Sequence, residues 1–287
     1  MIAYAQLVTC ALLWALTYHA GKYAVGLMHP LGVILWRFTA AVLIIVPWIA
    51  LREGWDWQGL RRNLWPLLAM GVLGVVAFNL AMFYGLQSTS AVNASLIMAF
   101  SPILTACGTV ILGGERLRLV RVGGLLLGVF GVALVVSRGS LPSLWRAGID
   151  RGDVLMLGGS CAWAVYGLIP RRFVHGLAAA QMGAASLIVT AVTLLIVCAL
   201  ASPAALHPPP HAALWAVLFM GVLATALAYL WWNIGVVRIG ATRAAGFLNL
   251  IPVFTMLSGL VLGQAISMAQ VLGAALVIGG VVLAARP

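Results

Sequence analysis

The chain has 287 residues, of which 64% are hydrophobic and 7% charged, at a mean hydropathy of +1.12. Soluble domains carry roughly 25% charged residues, so a water-soluble globule is excluded and lipid is the solvent that fits. A net charge of +11 would suggest nucleic acid in a soluble protein; here the charge sits between apolar runs, and no nucleic-acid partner is expected.

A helix needs about 20 apolar residues to cross a hydrocarbon core of about 30 Å. With no water there to pair backbone groups, only helices and closed barrels can span it. Long uninterrupted runs select helices. In chain order they cover 5–26, 31–51, 66–86, 91–112, 120–136, 154–170, 177–200, 212–237, 244–262 and 269–285, which predicts an all-α integral membrane protein of ten transmembrane helices. The first run lacks a basic n-region and a small-residue cleavage site, so it is expected as a retained span and not a signal peptide. Pro203 to His211, with three consecutive prolines, must be a loop. Cys10, Cys107, Cys161 and Cys198 all lie in apolar runs, so no disulfide framework is implied.

The stretch from Met70 to Gly113 recurs from Met220 to Gly263. The two align without a gap and match at Gly71/Gly221, Gly85/Gly235, Ala94/Ala244, Pro102/Pro252 and Thr105/Thr255, among others. The chain therefore divides into a five-helix repeat at 1–137, a connecting loop at 138–153, and a second five-helix repeat at 154–287. An odd number of spans per repeat turns the second half upside down, giving the inverted repeat of secondary transporters. Eleven loop Lys and Arg fall on the side of the termini against four on the other, which puts both termini in the cytoplasm. A monomer is compatible with this plan, and the sequence specifies no oligomeric state.

All five acidic residues, Glu53, Asp56, Glu115, Asp150 and Asp153, lie in loops or at a helix end. Proton-coupled export of lipophilic cations generally uses a buried acid, so that activity is disfavoured. No Ser/His/Asp arrangement, metal-spaced Cys/His cluster or phosphate-cradling glycine loop is present. Neither catalysis, a metal nor a cofactor is expected.

The polar content of the spans is amide and aromatic. Asn79 and Phe83, four residues apart, share a helix face, and Tyr229 and Asn233 stand at the same places in the second repeat. Trp14 and Trp163, also matched between halves, lie midway along the first and sixth spans. With Tyr18, Tyr166 and Asn249 they make up the candidate substrate-binding set. Each has a second reading: the asparagines, Asn93 included, can tie helices together at roughly 0.6 kcal/mol each, and the indoles can be core packing.

Arg37 is the one guanidinium inside a span, about 9 Å from its outer end at 1.5 Å per residue, where insertion costs about 2.5 to 3.5 kcal/mol. Snorkelling or carbonyl bonding is its expected role, with a substrate carboxylate the alternative. His19 is expected to be a satisfied core histidine, with a proton relay the alternative. Pro102 and Pro252 are expected to break helices at matching depths, the pointer to a transporter site. Gly124, Gly128 and Gly131 in the fifth span, with Gly273 and Gly280 in the tenth, form small-residue faces that read as packing posts.

Ten spans in two inverted halves, the Gly113-Gly114-Glu115-Arg116-Leu117 ending of span four before a glycine-rich fifth span, the Pro102/Pro252 pair and the Trp14/Trp163 pair together resemble the drug/metabolite transporter superfamily, in particular its ten-span EamA-type exporters. The Trp, Tyr and Asn content of the spans is similar to the bacterial aromatic amino-acid exporters. One departure is that Gly263 is followed by Gln264-Ala265 where the pattern expects Glu. The resemblance implies a bacterial inner-membrane exporter of small metabolites working by alternating access. The absence of a buried acid favours zwitterionic or neutral substrates, amino acids foremost, moved by facilitated diffusion. Other metabolites, such as a purine or a sugar derivative, and a non-transporting scaffold are the competing readings.

Overall fold

The computed structural model describes residues 2–89, 94, 97–112, 119–137, 140, 151–261 and 267–285, and every regular element among them is helical. We number the principal helices α1 (Ile2–Val25), α2 (Pro30–Arg52), α3 (Leu64–Ser88), α4 (Ser101–Ile111), α5 (Leu119–Ser137), α6 (Arg151–Phe173), α7 (Ala179–Ala201), α8 (His211–Ile239), α9 (Leu250–Val261) and α10 (Met268–Ala285). Six of them, α1, α2, α3, α6, α7 and α8, are long and apolar enough to cross a bilayer, whereas α4, α5 and α10 are apolar but shorter. Asn93, Asp150, the 113–117 motif, most of the connecting loop and Gln264-Ala265 fall outside the described residues.

Local chemistry sets the helix ends. Pro30 opens α2 behind His29, whose Nδ1 accepts the Leu31 N–H at 3.3 Å. A first-turn proline has no amide to leave unpaired. The same rule revises the reading of Pro102 and Pro252. Pro102 stands in the first turn of α4, after a turn at Ala99-Phe100. Pro252 stands in the first turn of α9, after a short helix Ala241–Gly246 and a 3-10 turn Phe247–Asn249. The irregular backbone thus precedes each proline and does not follow from a kink at it. A second difference is at the connecting loop, since residues 151–153 already form the first turn of α6; Asp153 there is favourable against the helix dipole.

The repeat is visible in local geometry and in packing. α3 contains a π-helical segment at Met70–Val76 and α8 contains one at Val222–Leu227. α1 packs against α8 and α9, and its counterpart α6 packs against α3 and α4. α2 lies on α7, and α5 lies along α10. The α5–α10 pair is held at backbone contact: a Cβ on Gly124 would stand 2.6 Å from the Ala284 amide nitrogen, and one on Gly280 would stand 2.6 Å from the Gly124 carbonyl. Outward faces carry large apolar residues such as Leu43, Trp65, Leu200 and Trp215, as a surface in contact with lipid requires. The molecule is a multi-pass integral membrane protein with a duplicated helical domain.

Both ends of the bundle are tied, within the first half and between halves. At one end Lys22 Nζ donates to the Leu86 carbonyl at 2.5 Å and the Thr89 carbonyl at 3.4 Å, capping the C-terminus of α3, and the Thr89 hydroxyl donates to Asp153 of α6 at 2.6 Å. At the other end Asn63 and His175 exchange two bonds of 2.9 Å between the Asn63 amide and the His175 backbone. Beside them Gln181 accepts the Asp56 N–H at 2.9 Å and donates to the Gly54 carbonyl at 3.2 Å.

Candidate functional site

Between the tied ends the two halves enclose a cluster of rings. Trp14 meets Trp163 edge to face at 5.1 Å between centroids, Tyr229 at 5.9 Å and Trp232 at 5.2 Å. Trp163 also stacks on Tyr166 at 5.3 Å and lies 5.0 Å from Phe78. Such pairs contribute about 0.5 to 1.5 kcal/mol each beyond their buried area. The cavity they leave is about 20 Å³, room for about one water. That space is too small for an amino acid until the rings part.

The floor of the cavity is Arg37, only 2% exposed. Its Nε donates to the Thr225 hydroxyl at 2.6 Å, its Nη1 donates to Asn79 Oδ1 at 3.3 Å, and its guanidinium lies over the Phe38 and Phe83 rings at 5.5 and 5.8 Å. Thr225 belongs to the π-helical segment of α8 and passes its own proton to the Met220 carbonyl at 2.7 Å, five residues back. The expectation that Arg37 snorkels or bonds carbonyls is therefore corrected. It points inward and is held by two neutral side-chain oxygens, because Asn79 and Thr225 converge on it from the two halves. Those bonds use two of the five donors of a guanidinium, and no carboxylate pairs with it among the described residues.

The predicted residues separate into three groups. Trp14, Tyr18, Arg37, Trp163 and Tyr229 line the cavity. Asn79, Phe83, Tyr166 and Asn233 stand behind that lining. Asn79 holds Arg37 and donates to the Val75 carbonyl at 2.9 Å, Phe83 lies against Gly21, and Asn233 donates to the Tyr166 hydroxyl at 2.6 Å and to the Tyr229 carbonyl at 2.8 Å. Asn249 and His19 are elsewhere: Asn249 packs onto Gly128 of α5, and His19, half-buried, has Nε2 3.4 Å from the Thr255 carbonyl.

Sequence reasoning missed Thr17, Phe78, Met82 and Thr225. Phe78 and Met82 precede Asn79 and Phe83 by one residue each, about 100° around the helix, and it is their face that turns to the cavity. Thr17 was legible as the third member of a 14/17/18 face, whereas Thr225 carried no signal, since its role comes from the π-helical segment.

The site also holds unspent hydrogen-bonding capacity. Trp14 Nε1 donates to the Ala224 carbonyl at 2.8 Å. Its counterpart Trp163 Nε1 and the Tyr229 hydroxyl, both buried, make no hydrogen bond. Buried polar groups are ordinarily paired.

Two homologous helical halves closed around a central chamber define a membrane transporter. The chain belongs to the EamA-like transporter family, whose model matches residues 1–137 and 150–286. It is 34% identical to the uncharacterized transporter YyaM of Bacillus subtilis, over 98% of this chain and 92% of that one. It is 27% identical to the aromatic amino acid exporter YddG of Ancylobacter novellus, over 96% and 94%. A solved crystal structure superposes with a TM-score of 0.79 at 24% identity, over 98% of this chain and 96% of the other, and shares the fold. Family membership removes the scaffold alternative, and the protein is a transporter and not an enzyme.

Proposed function

We propose that this protein exports small carboxylate-bearing metabolites with an aromatic or hydrophobic body, amino acids among them, across the bacterial inner membrane. The observation that carries the proposal is Arg37, a buried guanidinium with unused donors in a chamber otherwise walled by rings, apolar side chains and hydroxyls. A carboxylate would occupy those donors while the ring walls take the body of the substrate. A purine or a sugar derivative would leave the charge unpaired. The similarity to an aromatic amino acid exporter supports the same class.

In this reading the ten helices form two inverted five-helix repeats with both termini cytoplasmic. The end tied by Asn63 and His175 then faces the cytoplasm, and the end tied by Thr89 and Asp153 faces outward. Alternating access releases one tie at a time, and flux is facilitated diffusion. The test is flux of a labelled carboxylate and amino-acid panel in proteoliposomes, with and without a pH gradient. Saturable flux of aromatic members, abolished in Trp163→Ala protein that remains folded, is expected. Flux unchanged by that substitution refutes the site, and no flux of any member refutes the substrate class.

A further inference from the structure

We infer that the preferred substrate is an aromatic or hydrophobic carboxylate that carries no ammonium group, such as a 2-oxo acid, and that it leaves as a net anion driven by the membrane potential. The inference rests on the reading of Arg37 as the carboxylate partner and narrows the class within it.

The first argument is the charge of the chamber. Arg37 is the single charged side chain among the residues lining it. In an α-amino acid the ammonium and the carboxylate carbon are two bonds apart, so a carboxylate seated on Arg37 brings its ammonium within about 5 Å of the guanidinium. Among the described residues of the lining the repulsion meets no acid to offset it, and ring faces return only part of it. Removing the ammonium should favour binding by roughly tenfold or more.

The second argument is the sense of the hydrogen bonds on offer. The spare groups at the lining are the remaining N–H groups of Arg37, the indole N–H of Trp163 and the hydroxyl of Tyr229. Guanidinium and indole only donate, whereas the Tyr229 hydroxyl can donate or accept. They suit a carboxylate and an adjacent keto oxygen, which only accept. An ammonium brings three donors, and the acceptors it meets at the lining are neutral hydroxyl oxygens such as Thr17 Oγ1, whose own proton goes to the Leu13 carbonyl at 3.0 Å, with no carboxylate among the described lining residues to balance its charge. The unpaired acceptor Asn233 Oδ1 lies outside the lining, on the amide that holds Tyr166.

The same chemistry accounts for a chamber with no coupling carboxylate among its described residues. A monovalent anion leaving a cell that is negative inside is driven by the potential itself, to about a fifty-fold concentration ratio per 100 mV. No buried carboxylate is needed to harvest a proton. A zwitterion gains nothing from that potential.

The experiment is a matched pair. Efflux of labelled phenylpyruvate and phenylalanine is measured at neutral pH from proteoliposomes holding the full chain, against protein-free liposomes, with the potential set by potassium and valinomycin. Phenylpyruvate efflux at least about tenfold faster than phenylalanine efflux, accelerated by an inside-negative potential, is expected. Both effects should vanish in Arg37→Gln and survive in part in Arg37→Lys. Equal or faster phenylalanine efflux, or phenylpyruvate efflux indifferent to potential, overturns the inference and leaves the carboxylate reading standing. Flux of neither compound overturns both. The wild-type comparison decides even where the Arg37→Gln protein does not fold.

Discussion

The contact between α5 and α10 yields a prediction in which two adjacent residues behave oppositely. A Cβ at Gly124 would lie 2.6 Å from the Ala284 nitrogen and 2.8 Å from the Gly280 oxygen, both backbone atoms that no rotamer change can move; at Gly123 it would meet nothing within 4 Å. Gly124→Ala must therefore push the helices apart by roughly 0.8 Å to restore ordinary contact, an overpacking cost of about 1 to 3 kcal/mol. For a chain of this size that corresponds to a melting temperature lower by about 2 to 5 °C. Gly123→Ala should be neutral or slightly stabilising, because Ala is the better helix former. The assay is thermal unfolding of the purified protein in detergent, followed by intrinsic tryptophan fluorescence. Gly280→Ala and Gly279→Ala form a second such pair, with the nearest contacts at 2.6 and 4.0 Å. Combining Gly124→Ala with Gly280→Ala should cost less than the sum of the two, since one separation of the helices relieves both clashes. Equal melting temperatures for Gly123→Ala and Gly124→Ala would refute the close approach on which the reasoning depends.

Three further outcomes concern transport. Trp163→Phe keeps one six-membered ring and removes the five-membered ring with its unpaired N–H, so stability should fall by about 1 to 2 kcal/mol through lost packing while KM for the carboxylate substrate rises about two- to tenfold, the worth of one hydrogen bond; an unchanged KM would take Trp163 Nε1 out of the site. Asn63→Ala removes the reciprocal bonds to His175 and should raise the reactivity of cysteines introduced in the chamber, read by labelling with a membrane-impermeant maleimide from the His175 end only; no change would mean that this tie does not hold that end shut. His19→Gln should leave flux and its response to an imposed pH gradient as in the wild type, because His19 lies off the cavity, and a lost gradient response would instead make His19 a proton relay.

The architecture was largely legible because bilayer thickness and repeat spacing are one-dimensional constraints. Run lengths located the helices, and the gapless match from Met70 to Gly113 exposed the duplication. The Trp14/Trp163 pairing was legible too, since equivalent positions in a duplicated bundle meet near its axis. Directions around each helix were less accessible. Asn79 and Phe83 share a face, as i and i+4 positions must, but that face turns toward Arg37 and α1 while Phe78 and Met82 take the cavity. Asn249 closes a turn of 3-10 helix, where an α-helical count of faces no longer applies, and it ends on Gly128. The inward aim of Arg37 was hidden for a different reason. A solitary arginine in a span reads as a group seeking the interface, and its actual partners, Asn79 and Thr225, are 42 and 188 residues away.

Under the proposed function, the division between what the halves share and what they do not separates movement from recognition. The shared features are mechanical: the π-helical segments, the glycine contact between α5 and α10, the irregular backbone before each proline and the exchanged packing of α1 and α6. Motion of one half against the other needs both to be built alike, because what opens one end must be able to close the other. At the centre the likeness stops. The positions equivalent to Arg37, Asn79 and Phe83 hold Ser186, Tyr229 and Asn233. Trp14 spends its indole proton on a carbonyl of α8, while Trp163 keeps its own unspent. A buried charge on one side only has no part in a symmetric mechanical role, and its desolvation cost is a reason for it to be lost. Its presence where the two halves meet, held by one neutral oxygen from each of them, is what the proposed carboxylate substrate would account for, by completing the site for part of each cycle.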